Sequence, residues 1–352
     1  MHKKGENSMR LPFGKIPPEI LESHVFSYLG ANRNDVILGP ARGEDASLVK
    51  TDDVLIASSS DPISGAIRWI GHIAVHISAN DVSTLGVKPR WFNSCIMLPE
   101  TSGIDDLKCV SRQIHKAASE LGVAIIGGHS EITPGLEHPL IVGFCMGIAE
   151  AGHYITSSGA KEGGKIILTK GVAIEGTAII CTDKSSLVKQ ILGEDVQQRG
   201  AEYISDISIV REALAAFHFG GVQAMHDPTE GGVAGGLHEV GDASHCGFRI
   251  YEEKLIIKPE TEQICSSFGI DPLRLISSGT LLVVVDNEKA EDLLHHLKSL
   301  KLDSSIIGEI VADSTYRKLI TSEGREDDLT RPDSDELWRA LVKDRHDFDL
   351  KK

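Results

Sequence analysis

Aromatic residues make up only 5% of the 352-residue chain, too few for a surface that stacks nucleic-acid bases. Positive charge is short as well. Against 51 acidic residues stand 36 lysines and arginines, and the formal net charge of -15 argues against a nucleic-acid backbone or an anionic membrane as partner. No stretch reaches the ~18 continuous apolar residues of a membrane helix. Met1-His2-Lys3-Lys4-Gly5-Glu6-Asn7-Ser8 has no apolar core and is not a signal peptide, so a cytoplasmic protein is expected, with Met9 an alternative start. The six cysteines, Cys95, Cys109, Cys145, Cys181, Cys246 and Cys265, contain no C-x-x-C pair and signal neither a zinc site nor a disulfide framework. A G-x-x-x-x-G-K-[ST] phosphate loop and the kinase motifs are missing too, so any nucleotide site belongs to another class.

What the chain has instead is five acidic clusters: Gly43-Glu44-Asp45-Ala46, Ser60-Asp61-Pro62, Asn80-Asp81, Gly127-Gly128-His129-Ser130-Glu131 and His226-Asp227-Pro228-Thr229-Glu230-Gly231-Gly232. Most join a carboxylate to small or turn-forming residues, and several follow an apolar run. Mg2+ takes hard oxygen ligands, a few carboxylates together with nucleotide phosphates. Glycines beside them let backbone N–H groups approach those phosphates. The pattern points to a nucleotide enzyme whose phosphates are held by bridging metal ions, and the acidic net charge does not argue against ATP, because metal ions reverse the local sign.

A chain of this length is expected to form two domains. In the first half, a strand at 54–57 runs into a polar loop, helices follow at 68–85 and 105–121, and buried strands at 122–126 and 140–148. The small-residue segment 156–164 marks the boundary, giving domains 1–160 and 161–352. The second half reads as strands at 165–170, 280–285 and 306–310, and helices at 204–217, 232–244, 260–268 and 289–300. A short last helix, 333–342, is capped by Asp333 or Ser334. The fold class is α/β (α+β).

Each cluster also has an ordinary reading. Ile73 and Ile77 share a helix stripe with Asp81, and His72 and His76 share one with Asn80. Asn and Asp are poor helix-interior residues, so Asp81 on a core face calls for a metal or phosphate, unless the helix ends near Asn80 and Asp81 caps it. His72-x-x-x-His76 resembles a pair of zinc ligands on one helix face, but no third ligand is evident and ordinary histidines are the better reading. Gly127 and Gly128 permit a turn at a strand end, where His129 bonds a phosphate or moves a proton and Glu131 faces a metal; the alternative is a decorated tight turn. Thr229, Gly231 and Gly232 build a helix entry whose N–H groups meet an anion, or simply an N-cap with a glycine turn.

Taken together and in order, the clusters resemble the superfamily of aminoimidazole ribonucleotide synthetase, selenophosphate synthetase, thiamine monophosphate kinase and the hydrogenase-maturation protein HypE. The resemblance runs from about Leu11 to Leu341. The opening Leu11-Pro12-Phe13-Gly14-Lys15-Ile16-Pro17, residues 36–49, Lys170-Gly171-Val172-Ala173-Ile174-Glu175-Gly176-Thr177-Ala178 and the 271–279 stretch are most similar to HypE. The resemblance implies a PurM-like fold, in which the N-terminal sheet pairs with a second subunit's in a dimeric β-barrel and ATP with Mg2+ lies against a C-terminal α/β domain. It implies Asp45, Asp61, Asp81 and Asp227 as metal ligands, and Gly43, Asn80, Gly127, Gly128, Thr229, Gly231 and Gly232 as the nucleotide's contacts. His129 and Glu131 are the candidate catalytic pair.

Three departures from HypE bear on the reaction. HypE carries a C-terminal cysteine, whereas this chain ends Asp347-Phe348-Asp349-Leu350-Lys351-Lys352 and its last cysteine is Cys265. Gly128-His129-Ser130-Glu131 replaces Gly-Asp-Thr-Lys, and Glu230 replaces an arginine. The expected function is ATP- and Mg2+-dependent phosphoryl transfer that activates a carbonyl or phosphate oxygen of an unidentified substrate. The alternatives are a hydrogenase-maturation protein that uses a partner's thiol and a non-catalytic nucleotide-binding regulator.

Overall fold

Long strands with every second residue apolar build the first of two sheets in the computed structural model, which describes residues 11, 14–64, 67–344 and 347. Its strands are β1 (Val36–Leu38), β2 (Ser47–Thr51), β3 (Val54–Ile63), β4 (Pro89–Leu98), β5 (Ala124–Ile132) and β6 (Leu140–Glu150), in the order β1-β2-β3-β6-β4-β5. Three helices accompany it: α1 (Pro18–His24), α2 (Ile70–Thr84) and α3 (Ile104–Leu121). Leu55, Ala57, Phe92, Ile96, Ile141 and Cys145 pack beneath α2 and α3 in one core. The opposite face, with Ile56, Trp91, Met97, Phe144, Met146 and Ile148, is only half-buried. At the sheet's edge all nine residues of β5 are exposed, including Ile125, Ile126 and Ile132.

Two strands are longer than their composition suggests. β3 continues through Ser58 to Ile63, so Asp61 lies in a strand rather than a loop, paired opposite Gly143 of β6. β5 likewise runs through both glycines, held in parallel register by β4. A Cβ on Gly128 would lie 2.4 Å from the Ser94 carbonyl, so close backbone contact, not a turn, requires glycine there.

The second sheet has β7 (Lys165–Thr169), β8 (Val222–His226), β9 (Gly247–Tyr251), β10 (Leu282–Val285), β11 (Ser304–Val311), β12 (Arg317–Ile320) and β13 (Glu326–Asp328), in the order β13-β12-β9-β11-β7-β10-β8. Its helices are α4 (Ile174–Asp183), α5 (Ser185–Leu192), α6 (Glu194–Glu202), α7 (Val210–Phe219), α8 (Gly232–Ala243), α9 (Pro259–Phe268), α10 (Ala290–Ser299) and α11 (Glu336–Leu341). The helix expected over 204–217 is broken: a 3-10 turn at Tyr203–Asp206 precedes α7. α11 is capped by Asp335, whose carboxylate accepts the Leu337 N–H at 2.7 Å, and not by Asp333 or Ser334. We place the domain boundary at 160/161, in the turn that enters β7.

α2 joins the two halves. All its residues but His72 are buried. One side lies so close to β6 that a Cβ on Gly143 would sit 2.4 Å from Ser78 Oγ. On another, Ile73 and Ile77 enter the core of the second domain with Ala173, Ile207 and Leu275. This double burial carries Asp81 into the interior.

Candidate active site: a carboxylate cluster between the domains

Three strand or loop segments converge beside the last turns of α2. The loop before β2 brings Asp45, β3 brings Asp61, α2 brings Asp81, and the end of β8 brings His226 and Asp227. The Ser59 hydroxyl lies between Asp61 Oδ2, at 3.0 Å, and Asp81 Oδ2. Desolvation first, then the charges of Asp61, Asp227 and Asp45, push the Asp81 carboxyl well above the ordinary carboxylate range. Burial, with Asp45 and Asp61, does the same to Asp227. Asp227 is 1% exposed, and among the described residues neither of its carboxylate oxygens has a hydrogen-bond partner. Buried, unpartnered acceptor oxygens among like charges are costly unless a cation joins them. The donor set, all hard carboxylate oxygen, fits Mg2+.

Two cations close one side of the cluster. His226 Nδ1 is 2.9 Å from Asp45 Oδ2, and its Nε2 is 2.9 Å from Glu239 Oε2. Carboxylates only accept, so both ring nitrogens donate and the ring is an imidazolium. Burial opposes that charge, but Asp45 and Glu239 outweigh it and raise the His226 pKa well above its usual value. Lys15 Nζ reaches Glu239 at 2.5 Å, while its backbone N–H donates to Glu230 Oε2 at 2.6 Å. Desolvation works against the Lys15 ammonium, yet Glu239, Asp45 and Asp81 hold its pKa above the usual value. Glu239 is held below its own range despite burial, through Lys15 and His226. Beside these groups opens a cavity of about 440 Å³, lined by Lys15, Arg42, Asp45, Glu230, Glu239 and Arg331 and by apolar Ile16, Phe26 and Pro332. That volume suits a small-molecule ligand.

Asp45, Asp61, Asp81 and Asp227 are thus brought together; the other expected site residues fare differently. Asn80 is not a free phosphate contact: its amide donates to the Ile207 carbonyl at 3.0 Å and accepts the Ile209 N–H at 2.9 Å. It is a buried clamp between the domains. Gly231 donates its N–H to Asp335 at 2.6 Å and Gly232 to the Thr229 carbonyl at 2.9 Å, so neither points at an open anion site. A Cβ on Gly232 would lie 2.5 Å from the Leu275 carbonyl, which accounts for glycine there. Half-buried Thr229 spends its carbonyl in the same turn. Gly43, at φ +75°, packs against the Glu239 carbonyl and so seats the loop that presents Asp45.

Gly127, Gly128, His129 and Glu131 lie elsewhere. Gly128 aligns with Ser94, Gly143 and Asp61 across three strand spacings, about 14 Å within one chain. There His129 Nε2 meets Glu131 Oε2 at 3.1 Å on the exposed edge. One chain alone does not assemble this pair with the aspartates. Sequence reasoning also passed over Lys15, His226 and Glu239. His226 is adjacent to Asp227 and Lys15 lies in the opening stretch 11–17, but Glu239 has no local signal.

Two α/β domains meeting at a buried carboxylate cluster define a class of two-domain proteins whose halves share one site, and comparison with known proteins narrows it. The description "AIR synthase related protein, N-terminal domain" matches residues 36–149, and the corresponding C-terminal domain matches residues 161–319. The chain belongs to the AIR synthase related family and is similar to the hydrogenase-maturation proteins called HypE. It is 30% identical to the carbamoyl dehydratase HypE of Rhizobium leguminosarum bv. viciae over 72% of this chain and 72% of that one. A putative hydrogenase expression/formation protein of Methanocaldococcus jannaschii is 28% identical, over 84% and 88% of the two chains. A chain from the crystal structure of a HypE–HypF complex superposes with a TM-score of 0.74 at 26% identity, covering 89% of this chain and 99% of that one.

Proposed function

We propose that this protein is an ATP- and Mg2+-dependent enzyme that activates a carbonyl oxygen by phosphoryl transfer, with a carbamoyl group as the preferred substrate class. The observation that carries this reading is Asp227, 1% exposed with both oxygens unpartnered among the described residues, set among Asp61, Asp81 and the cavity-lining Asp45. Mg2+ held by these four carboxylates would neutralise charge developing on the phosphates. The chain's own part is to position and exclude water: α2 and β8 bury the aspartates, the His226 imidazolium fixes Asp45, and Lys15 supplies a positive charge at the cavity mouth. In the reaction a bond forms from the substrate oxygen to the terminal phosphorus as the bond to ADP breaks. For a carbamoyl group, loss of two protons from nitrogen and of phosphate from carbon then leaves a nitrile.

Burial pushes the thiols of Cys145, Cys181 and Cys265 up to about 12 and that of Cys246 to about 11, so none of these is a ready nucleophile. Cys109 is exposed and Cys95 half-buried, so the carbamoyl thiol belongs to one of these or to a partner protein; relatives named carbamoyl dehydratases support the carbamoyl substrate class. We place the enzyme in the cytoplasm; no helix among the described residues is long and apolar enough to cross a membrane.

Calorimetric titration of ATP with Mg2+, repeated with a chelator, tests the site. Metal-dependent binding followed by ADP release only when a carbamoylated thiol is supplied supports the full reading. Tight binding without turnover on carbamoyl, carboxylate or phosphate substrates would make the protein a nucleotide-binding regulator instead.

The reading includes a homodimer. The half-buried apolar face around Phe144, Met146 and Ile148 and the fully exposed β5 are what a second copy of the same sheet would cover. Such pairing also offers His129 and Glu131 a route to a partner's aspartates. Phe144→Asp is expected to halve the mass seen by light scattering and to abolish turnover; an unchanged mass would count against this interface.

A further inference from the structure

His72 and His76 stand one turn apart on α2, and the fold supplies the third ligand that the sequence does not announce. α3 packs on α2 and brings Glu120, in its last turn, to them. One ligand atom from each of the three residues lies within 4.8 Å of the others. The two imidazole rings have centroids 4.3 Å apart.

His76 is 4% exposed, and its Nδ1 has no hydrogen-bond partner among the described residues. A buried ring nitrogen left this way needs a ligand. His72 Nε2 lies 3.2 Å from the Ile204 carbonyl oxygen, which can only accept. Nε2 therefore carries the proton and Nδ1 the lone pair, the arrangement by which a carbonyl orients a metal-bound histidine. Burial lowers the pKa of both rings, that of His76 to about 3, so both are neutral. Glu120 faces Lys116 at 3.8 Å, but that lysine is 73% exposed and can turn to solvent. Lys170, whose charge reaches His76, is paired with Glu212 at 2.6 Å.

We propose that His72, His76 and Glu120 form a binding site for a divalent transition metal of the Zn2+ type, separate from the carboxylate cluster. Two imidazoles and one carboxylate suit Zn2+ and disfavour Mg2+, and half-exposed Glu120 leaves a fourth position toward water. The metal would pin α2 to α3. Through the His72–Ile204 bond it would also pin α2 to the second domain, on the helix that carries Asp81.

The test uses the full chain, stripped with chelator and returned to excess Mg2+ so that the carboxylate cluster does not compete. Zn2+ is then titrated against a chromophoric chelator, and Co2+ is followed by its visible absorption. One Zn2+ per chain is expected in the wild type and in Asp227→Ala. A loss of affinity of at least tenfold is expected in Glu120→Ala and in His76→Asn. Glu120 is on the surface, so its variant should keep the wild-type melting temperature without metal and lose the rise that Zn2+ confers. Failure of the wild type to bind Zn2+, equal binding by Glu120→Ala, or loss of binding in Asp227→Ala would each overturn the assignment.

Discussion

Asp227→Ala is expected to abolish Mg2+-dependent ATP binding and, with no metal present, to make the protein more stable. The two effects share one cause. Four carboxylates crowd one buried site, and Asp81 and Asp227 both have pKa values raised well above the ordinary range by desolvation and by their neighbours' charges. Each pKa unit of such a shift corresponds to about 1.4 kcal/mol of strain on the ionised form. Removing one charge should relieve that strain, seen as a gain in stability in denaturant unfolding with chelator at neutral pH. The same deletion takes a ligand from the cation, and cation and phosphates hold each other, so affinity for ATP should fall at least 100-fold in calorimetry.

The pH dependence has a definite sign. Carboxyls whose folded pKa is raised stabilise the fold fully below the unfolded value, about 3.9, and that contribution is lost as pH rises through their folded values. Without metal, wild-type stability should therefore decline from about pH 4 upward, and Asp227→Ala should decline less. Mg2+ should flatten the wild-type curve. Unchanged ATP affinity, or a metal-free variant weaker than wild type, would remove Asp227 from the site.

Of the four aspartates, Asp81 was the most legible in the sequence, because a helical stripe with Ile73 and Ile77 cannot leave a carboxylate unpartnered. Asp45, Asp61 and Asp227 became legible only as an ordered set. What stayed hidden was long-range. Asn80 reads locally as a phosphate contact, but its amide is taken by the backbone at Ile207 and Ile209, in the other domain. Gly231 and Gly232 read as an anion cradle because glycine serves open loops and tight packing equally well. Here the close carbonyls of Leu273 and Leu275 demand it at Gly232, and a φ of +84° does so at Gly231. β3 and β5 were cut short because serine, aspartate and glycine have low strand propensity, which pairing with β6 and β4 overrides. His129 and Glu131 were placed at the site by their order among the clusters, an inference that cannot tell one chain's sheet edge from its partner's.

His226→Ala should be the most damaging single substitution at this site, by about 3–5 kcal/mol, because it leaves two buried carboxylates facing each other without their shared cation. Both His226 contacts are 2.9 Å long, and its side chain is 1% exposed, so water cannot replace it cheaply. Lys15 compensates only in part: it is half exposed and hydrogen-bonds Glu239 alone, reaching Asp45 through its charge and not through a bond. The sign of the pH effect separates this loss from simple cavity formation. A histidine whose pKa is raised in the folded state stabilises fully below its unfolded value, about 6.5, and that stabilisation fades as pH rises through the folded value. Wild-type protein should therefore lose an increment of stability above about pH 6.5 that His226→Ala lacks, so the difference between them narrows at alkaline pH. Unfolding curves collected from pH 6 upward in chelator would show that convergence. Parallel curves would mean that the ring acts only by filling space, and that Asp45 is held in place by the loop at Gly43 rather than by an imidazolium.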